Sequence, residues 1–579
     1  MKKITKAFSL LMSVLCVSGA FAGCSLGGGK KGGGKVVDDA LTINIKCRRA
    51  GFGTDWLYEL KSHFEEAYKA QGYKVNILTP DNAIKDDVLI KELALGYDKT
   101  KVDLYISSGA TPEQVGVNGD YGVLAEDMRD IVYNKKAISY SGAEESAIVG
   151  EKISADILPY MTDSTGAVYA YNWAQTSGGI AINTRKLAQY GLEIPKTTNE
   201  MFDCFDKIYC GYNGIPKSTV SRTFPITYVP GGNGYALCFL YTMMAQYDVE
   251  YFHQYFSFEK TNEEGTTVNL SDEECFALYQ HPALAEMLEL AYRTFDMNIA
   301  APGSLAQSVD QAQAKMMGNS DGAVFMFNGD WMLNEVKLNY PNALNDIDFT
   351  NYPVTSAVGK KLFGAGTAYG MNEADADALL SYIIDLVDAN KSIEEIVADV
   401  QTNKGITITE ADAKEVARAR GISYSRGVEH VAYVTKGTTK KDIVSLFLRM
   451  MSSDDFGKTF NNTANGTSPY YAMENTTSQY AFVRNASKIP TNKYFSLISL
   501  FTGARGYRKQ LNMNSLFTTQ SHLPDYISST SKATIYTLDA EHNGSDISVY
   551  KTAAQNFLTA EYNNVTKNWE NYKATAGLK

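Results

Sequence analysis

The sequence predicts an α/β protein built around a mostly parallel sheet and long enough for more than one domain. Two observations carry this. Strands alternate with amphipathic helices along the first part of the chain, and the 579 residues, 44% hydrophobic and 21% charged, have ordinary globular composition and ample capacity for a core. Leu41–Cys47 (LTINIKC) alternates with the two-residue period of a strand. After a loop, Arg48–Thr54, a helix places Trp56, Leu57, Leu60, Phe64 and Ala67 on one face. Val75–Thr79 reads as the next strand, Asp86–Leu95 as a helix ended by Gly96, and Val102–Ser107 (VDLYIS) as a third strand. In such sheets the binding crevice lies beyond the carboxyl ends of the strands. The loops Arg48–Trp56 and Ser107–Thr111 are therefore candidate walls, with Asp55, Trp56, Ser107 and Ser108 as their candidate residues.

The N-terminus reads as an export signal over residues 1–24: Lys2, Lys3 and Lys6, then an apolar core, Ala7–Val17, too short to span a bilayer comfortably. Phe21-Ala22-Gly23-Cys24 resembles a bacterial lipobox, with Phe21 standing where Leu is usual. That resemblance implies lipidation (palmitate) at Cys24 and an N-terminal lipid anchor as the chain's only membrane attachment. Residues 25–36 form a Gly/Lys tether without core-forming side chains until its end. Net charge is -11, and losing the three signal lysines takes it to -14, which argues against nucleic acid or an anionic membrane surface as partner. Past the leader the cysteines are Cys47, Cys204, Cys210, Cys238 and Cys275; Cys204 and Cys210 are either bridged or free buried thiols. Neither they nor the six scattered histidines show metal-ligand spacing, so no metal or cofactor is expected. The Gly-rich pieces GGNG and GAGTAYG lack the Lys and Ser/Thr of a phosphate loop.

Between Tyr169 and Ile208 the chain reads as a strand, a polar-aromatic loop (Asn172–Ser177), a strand (Gly178–Asn183), a short helix closed by Gly191, and a further helix opened by Pro195 and Thr198. The words GGIAINTRKLAQYGL and IPKTTNEMFDCFDKI resemble the extracellular solute-binding proteins of carbohydrate ABC importers, relatives of maltodextrin-binding protein. Ala312–Val336 contains Asn328-Gly329-Asp330-Trp331, which resembles that family's "N-G-x-W" word. Phe224–Tyr235, Phe349–Val354, Gly364–Met371 (as a returning strand of the first lobe) and Val431–Met451 keep the family's order. The resemblance implies a two-lobed periplasmic-binding-protein-like fold of type II, its lobes joined by several chain crossovers around a ligand cleft. Lobe 1 is placed at 37–153 plus 359–465, with a helical insertion at about 377–426, and lobe 2 at 154–358 plus 466–579.

A sugar needs aromatic platforms for its faces and amides or carboxylates for its hydroxyls. Trp56 is either such a platform or core. Trp173, with Asn172 and Gln175, stands in a loop between strands. Trp331, beside Asn328 and Asp330, stands where the family places its stacking aromatic, although Asp330 alternatively caps the next helix. Asn233 and Tyr235 in the PGGNGY turn, and Tyr369, complete the candidate set. The resemblance implies a monomeric, lipid-anchored receptor on the outer face of the cytoplasmic membrane, handing an oligosaccharide to permease subunits of an ABC transporter, without catalysis. A membrane-anchored glycan hydrolase or a surface glycan adhesin is the alternative; no local catalytic word and no repeats are visible.

Overall fold

The structure is a computed structural model that describes residues 35–49, 51–117, 119–153, 157–163, 165–210, 223–229, 235–296, 299–304, 306–318, 322–337, 339–425, 430–471, 480–488, 494, 496–499 and 547–576. The leader with Cys24, most of the tether, Asn233 and most of the tail between 489 and 546 lie outside the described residues.

The first lobe starts with strand β1 (Thr42–Cys47), helix α1 (Asp55–Ala67), β2 (Lys74–Ile77), α2 (Asp86–Ala94) and β3 (Leu104–Ile106). β2 and β3 flank β1 in parallel, as strand–helix–strand units require. A two-residue strand, β4 (Tyr171–Asn172), joins the far edge of this sheet. The chain then leaves for the second lobe, where β5 (Gly178–Asn183), β6 (Phe224–Thr227), β7 (Ala323–Gly329) and β8 (Ile347–Thr350) form a four-stranded sheet in the order β8-β5-β7-β6. Around it pack α3 (Thr198–Cys210), α4 (Tyr235–Tyr247), α5 (Pro282–Thr294), α6 (Val309–Met317) and the short α7 (Met332–Val336). Next come α8 (Ser356–Phe363), α9 (Glu373–Asp388), α10 (Ile393–Lys404) and α11 (Glu410–Gly421), then β9 (Ile422–Ser425). The chain returns to the first sheet as β10 (Val431–Val434), which pairs antiparallel with both β3 and β4, and continues into α12 (Lys441–Met451) and α13 (Asp454–Ala464). It ends on the second lobe with α14 (Ala481–Lys488), β11 (Ser496–Ser499), α15 (Ser548–Lys567) and α16 (Trp569–Ala576).

Both sheets are mixed, although the sequence reads as mostly parallel. Crossovers are the cause: β10 comes back from the other lobe running against β3, and β5 runs against both β7 and β8. Each lobe has its own core. The first gathers residues from Ile43 to Ala174 together with Val431 to Tyr470, and the second runs from Ile180 to Tyr352 and takes in Tyr550, Phe557, Leu558, Val565 and Trp569 of the C-terminal helices. The first lobe thus extends well beyond residue 153, because Ile157 to Ala174 bury their apolar side chains there.

Residues 359–425 sit differently from their expected place in lobe 1. Helices α8 to α11 enclose a separate core of Val358, Phe363, Leu380, Ile384, Val400 and Val416 among others, and that module is fastened to the second lobe. Thr197 donates to Asp377 at 2.9 Å, Ser381 to Glu200 at 2.6 Å, and Arg418 to the carbonyls of Ala245 and Gln246 at 3.0 and 2.6 Å, at the C-terminal end of α4. Gly364–Met371, expected as a strand of the first lobe, is the turn between α8 and α9, held by one bridge between its ends. Gly366 and Gly370 there adopt φ of 100° and 60°, which a strand does not allow.

Candidate functional site

Three crossing segments run side by side between the lobes and fix the floor of the cleft. Trp173 N donates to His430 O at 3.0 Å, Gln175 N to Thr467 O at 2.8 Å, and Ser423 Oγ to Gly178 O at 3.2 Å. Strands β5 and β7 open onto this floor: Gly178 pairs with Gly329, and Asp330 N donates to Ser177 O at 3.1 Å. The wall on the second lobe is therefore the exit of β7 and the start of α7, residues Asn328 to Glu335.

Trp331 is the centre of this wall. Its indole lies over Gly329, where a methyl group would stand 2.3 Å from Cη2, so only glycine lets the ring fold back on the strand end. Across the cleft it meets Gly51 of the first lobe, where a methyl group would lie 2.9 Å from Cδ1. Nε1 donates to the Tyr235 hydroxyl at 3.2 Å, the two rings being 5.9 Å apart, and His430 stands 6.4 Å away. Asn334 Nδ2 donates to Gly51 O, so both lobes meet at this point. The indole remains half-buried, an aromatic surface between two lobes.

Two carboxyls flank it. Asp330 is 3% exposed and its Oδ1 has no hydrogen-bond partner. Burial pushes it up to about 8, against the backbone N–H groups of Ser177, Asp330 and Trp331, which favour the charged form. Glu335, whose backbone N–H donates to Trp331 O at 3.3 Å, accepts from Gln313 Nε2 at 2.7 Å and faces Gly51. Burial lifts it to about 7, with the Gln313 amide opposing and Asp310 reinforcing the rise. Lys337 is pushed down by its own burial and held up by Asp55 of the first lobe, which is exposed.

Several residues expected at the site are structural. Trp56 (0% exposed) and Trp173 (1%) stack on each other at 5.1 Å and 20° inside the first lobe, among Phe52, Phe456 and Phe460. Trp173 follows β4 directly, so the sequence's loop is a buried crossing segment, and its indole N–H donates to Ser107 O at 3.0 Å. The Ser107 hydroxyl donates to Ile84 O and the Ser108 hydroxyl accepts from Arg48, so both are occupied within the lobe. Asn328 is fully buried and closes on itself, its Oδ1 accepting from Gly329 N at 2.7 Å. Tyr369 belongs to the helical module, where it packs on Phe363 and donates to Asp412. Gln175 is half-buried on the cleft floor. Of the candidates, Asp330, Trp331 and Tyr235 come together, with Gln175 and Asp55 at the margins.

The sequence reading missed Gly51, Gln313, Glu335 and His430. Glu335 had a legible signal, because four residues after Trp331 on a helix is the same face. His430 had none, since it arrives from a distant crossing segment. Cys204 is a free buried thiol, as is Cys47, and Cys238 and Cys275 are buried.

Two α/β lobes around a cleft, crossed by several chain segments, are the two-lobed solute-binding fold of type II. The chain is similar to the apo form of RafE from Streptococcus pneumoniae, with a TM-score of 0.50 and 11% identity over 90% of this chain and 98% of that one. It also matches a chitin oligosaccharide binding protein (TM-score 0.49, 13% identity, 85% of this chain and 98% of that one). A third match is the Thermus thermophilus maltotriose binding protein (0.46, 14%, 90% and 100%). No protein-family model and no curated protein sequence matches the chain.

Proposed function

We propose that this chain is an extracellular solute-binding lipoprotein that captures a carbohydrate, read here as an oligosaccharide, and delivers it to the permease of an ABC importer. The observation that carries the reading is the half-buried Trp331–Tyr235 pair between two lobes, with amide and carboxyl groups around it. A pyranose presents C–H faces to such rings and hydroxyls to such polar groups. The likeness to apo RafE supports the fold underlying this reading; RafE itself has been described in complex with raffinose. The lipobox-like Cys24 and the glycine tether support surface anchoring, and the body is read as a monomer.

Capture needs no chemistry. Ligand contacts made only when the lobes meet shift the population towards the closed state. Tyr235, Trp331, Asp330 and Glu335 carry the second lobe's share and Gly51 the first lobe's, with Gln175 on the floor and Asp55 at the rim. A hydrolase requires one raised acid beside an ionised carboxylate. Here burial raises both carboxyls beside Trp331, Asp330 to about 8 and Glu335 to about 7, where such a pair needs one acid raised and the other left low. A thermal-shift screen against an oligosaccharide panel tests the proposal: a ligand that binds only the folded state raises its melting temperature. Long incubation should leave that ligand intact. No shift with any saccharide, or turnover that co-purifies with the chain, overturns it.

A further inference from the structure

The two lobes touch along a seam beside Trp331. On the first lobe the seam is carried by the turn that precedes α1. Phe52 pins this turn: it is buried and packs edge-on against Trp173 at 5.8 Å and His430 at 5.2 Å, so Gly51 next to it belongs to a fixed part of the lobe. On the second lobe the seam is α7, whose buried Met332, Leu333 and Val336 leave Trp331, Asn334 and Glu335 on the opposite side. Those three residues meet Gly51. A methyl group there would stand 2.9 Å from Trp331 Cδ1 and 3.1 Å from Glu335 Oε1, and the Gly51 carbonyl accepts from Asn334 Nδ2. The Gly51 backbone is thus about one van der Waals contact from the indole, whereas a sugar ring inserted between them would need two, roughly 7–8 Å. The seam starts at the floor, where His430 lies beside both Phe52 and Trp331, and reaches the rim, where Lys337 faces Asp55.

The indole is covered to match. Gly329 lies under its six-membered ring, where a methyl group would collide with Cη2, Cζ2 and Cζ3, while its five-membered ring has the Tyr235 hydroxyl at Nε1 and Gly51 at Cδ1 and Cγ. These contacts leave the outer face of the six-membered ring, a surface matched to one pyranose. A chain whose ring stacks there cannot continue past Gly51. We propose that the cleft is blind at this seam and recognises the end of an oligosaccharide: a terminal ring lies on Trp331 with its free end against Gly51 and Asn334, and the rest of the chain leads away from the seam. This rests on the carbohydrate reading above and adds the class of ligand, chain ends rather than internal stretches.

End-blocked sugars test this. Maltotetraose, cellotetraose and N-acetylated chitotetraose, with any saccharide that the thermal-shift panel adds, are titrated calorimetrically against the full chain in three forms: free, carrying 2-aminobenzamide on the reducing end, and carrying a benzylidene group on the non-reducing end. For each sugar whose free form binds, one blocked form is expected to lose at least about tenfold in affinity and the other to stay within about threefold. Asn334→Ala removes the side chain that bridges the seam and leaves Trp331 and Tyr235 in place. In that variant the penalty should shrink to about threefold or less while the free sugar binds as before, a gain of tolerance that damage to the fold does not produce; the wild-type comparison stands even where the variant folds poorly. Both blocked forms accepted, both rejected, or a penalty unchanged in a folded Asn334→Ala variant overturns the inference and leaves the carbohydrate reading in place. Binding of no free saccharide overturns both.

Discussion

Trp173 and Trp331 look alike in the sequence, each flanked by polar residues near a strand end, yet the structure gives them opposite roles that alanine substitution separates. Trp173 is enclosed by Phe52, Trp56, His430 and Phe460 and satisfies the Ser107 carbonyl. Trp173→Ala opens a cavity worth roughly 3–5 kcal/mol and leaves a buried acceptor unpaired for about 1 more. Against a total stability of roughly 5–15 kcal/mol, that is a large loss, borne mainly by the first lobe. Trp331 has Gly329 beneath it, Tyr235 beside it and Gly51 across the cleft, and is half-buried. Removing it leaves most of the second core untouched but deletes a desolvated aromatic anchor, roughly 2 kcal/mol of binding or about thirtyfold in affinity. Urea denaturation and calorimetry with an oligosaccharide identified by the panel give both quantities for both variants. Trp173→Ala should lower stability strongly and leave the affinity of the protein that remains folded within a few-fold; Trp331→Ala should do the reverse. A collapsed melting temperature with unchanged affinity for Trp331→Ala, or full stability with lost affinity for Trp173→Ala, refutes the assignment.

Asp330 gives a pH test. The folded carboxyl, raised from 3.8 to about 8, binds more protons than the unfolded one. Stability therefore falls as pH climbs from about 4 and levels off above about 8, by at most about 1.4 kcal/mol for each pH step; melting curves of Asp330→Asn across that range should be flatter than wild type, and equal slopes contradict the burial argument. Gly51→Val drives a side chain into Trp331 and should hold the lobes apart, seen as a larger radius of gyration in X-ray scattering; an unchanged radius means the two residues do not meet in solution. In the first lobe, Lys440 Nζ donates to Thr42 O at 2.6 Å and pairs at 3.5 Å with buried Asp103, which Thr438 and the Asn44 N–H also hold, so Lys440→Met leaves that carboxylate without its cation and should cost about 3 kcal/mol in denaturation. Cys24→Ala should release the protein from washed membranes, and retention there would remove the lipid anchor from the proposal.

The sequence by itself determined the local elements. Period-two and helical patterns are set by neighbours along the chain, so β1, α1, β5 and the strand–helix pair β10–α12 stand close to where the pattern puts them. It also marked the exit of β7 with Asn328-Gly329-Asp330-Trp331, where the site is built. Tertiary structure alone decided which tryptophan is core and which faces the cleft, because burial depends on what arrives from elsewhere: Phe456 and Phe460, far downstream in the chain, close over Trp56 and Trp173. It decided that the helical module belongs to the second lobe, through Arg418, Thr197 and Ser381, whose partners lie far away in the chain. And it decided the chemistry of Asp330 and Glu335. An acid is unremarked in a sequence with 65 of them, and only withdrawal from water in the folded chain, for Glu335 beside Gly51 of the other lobe, raises these two into the physiological range.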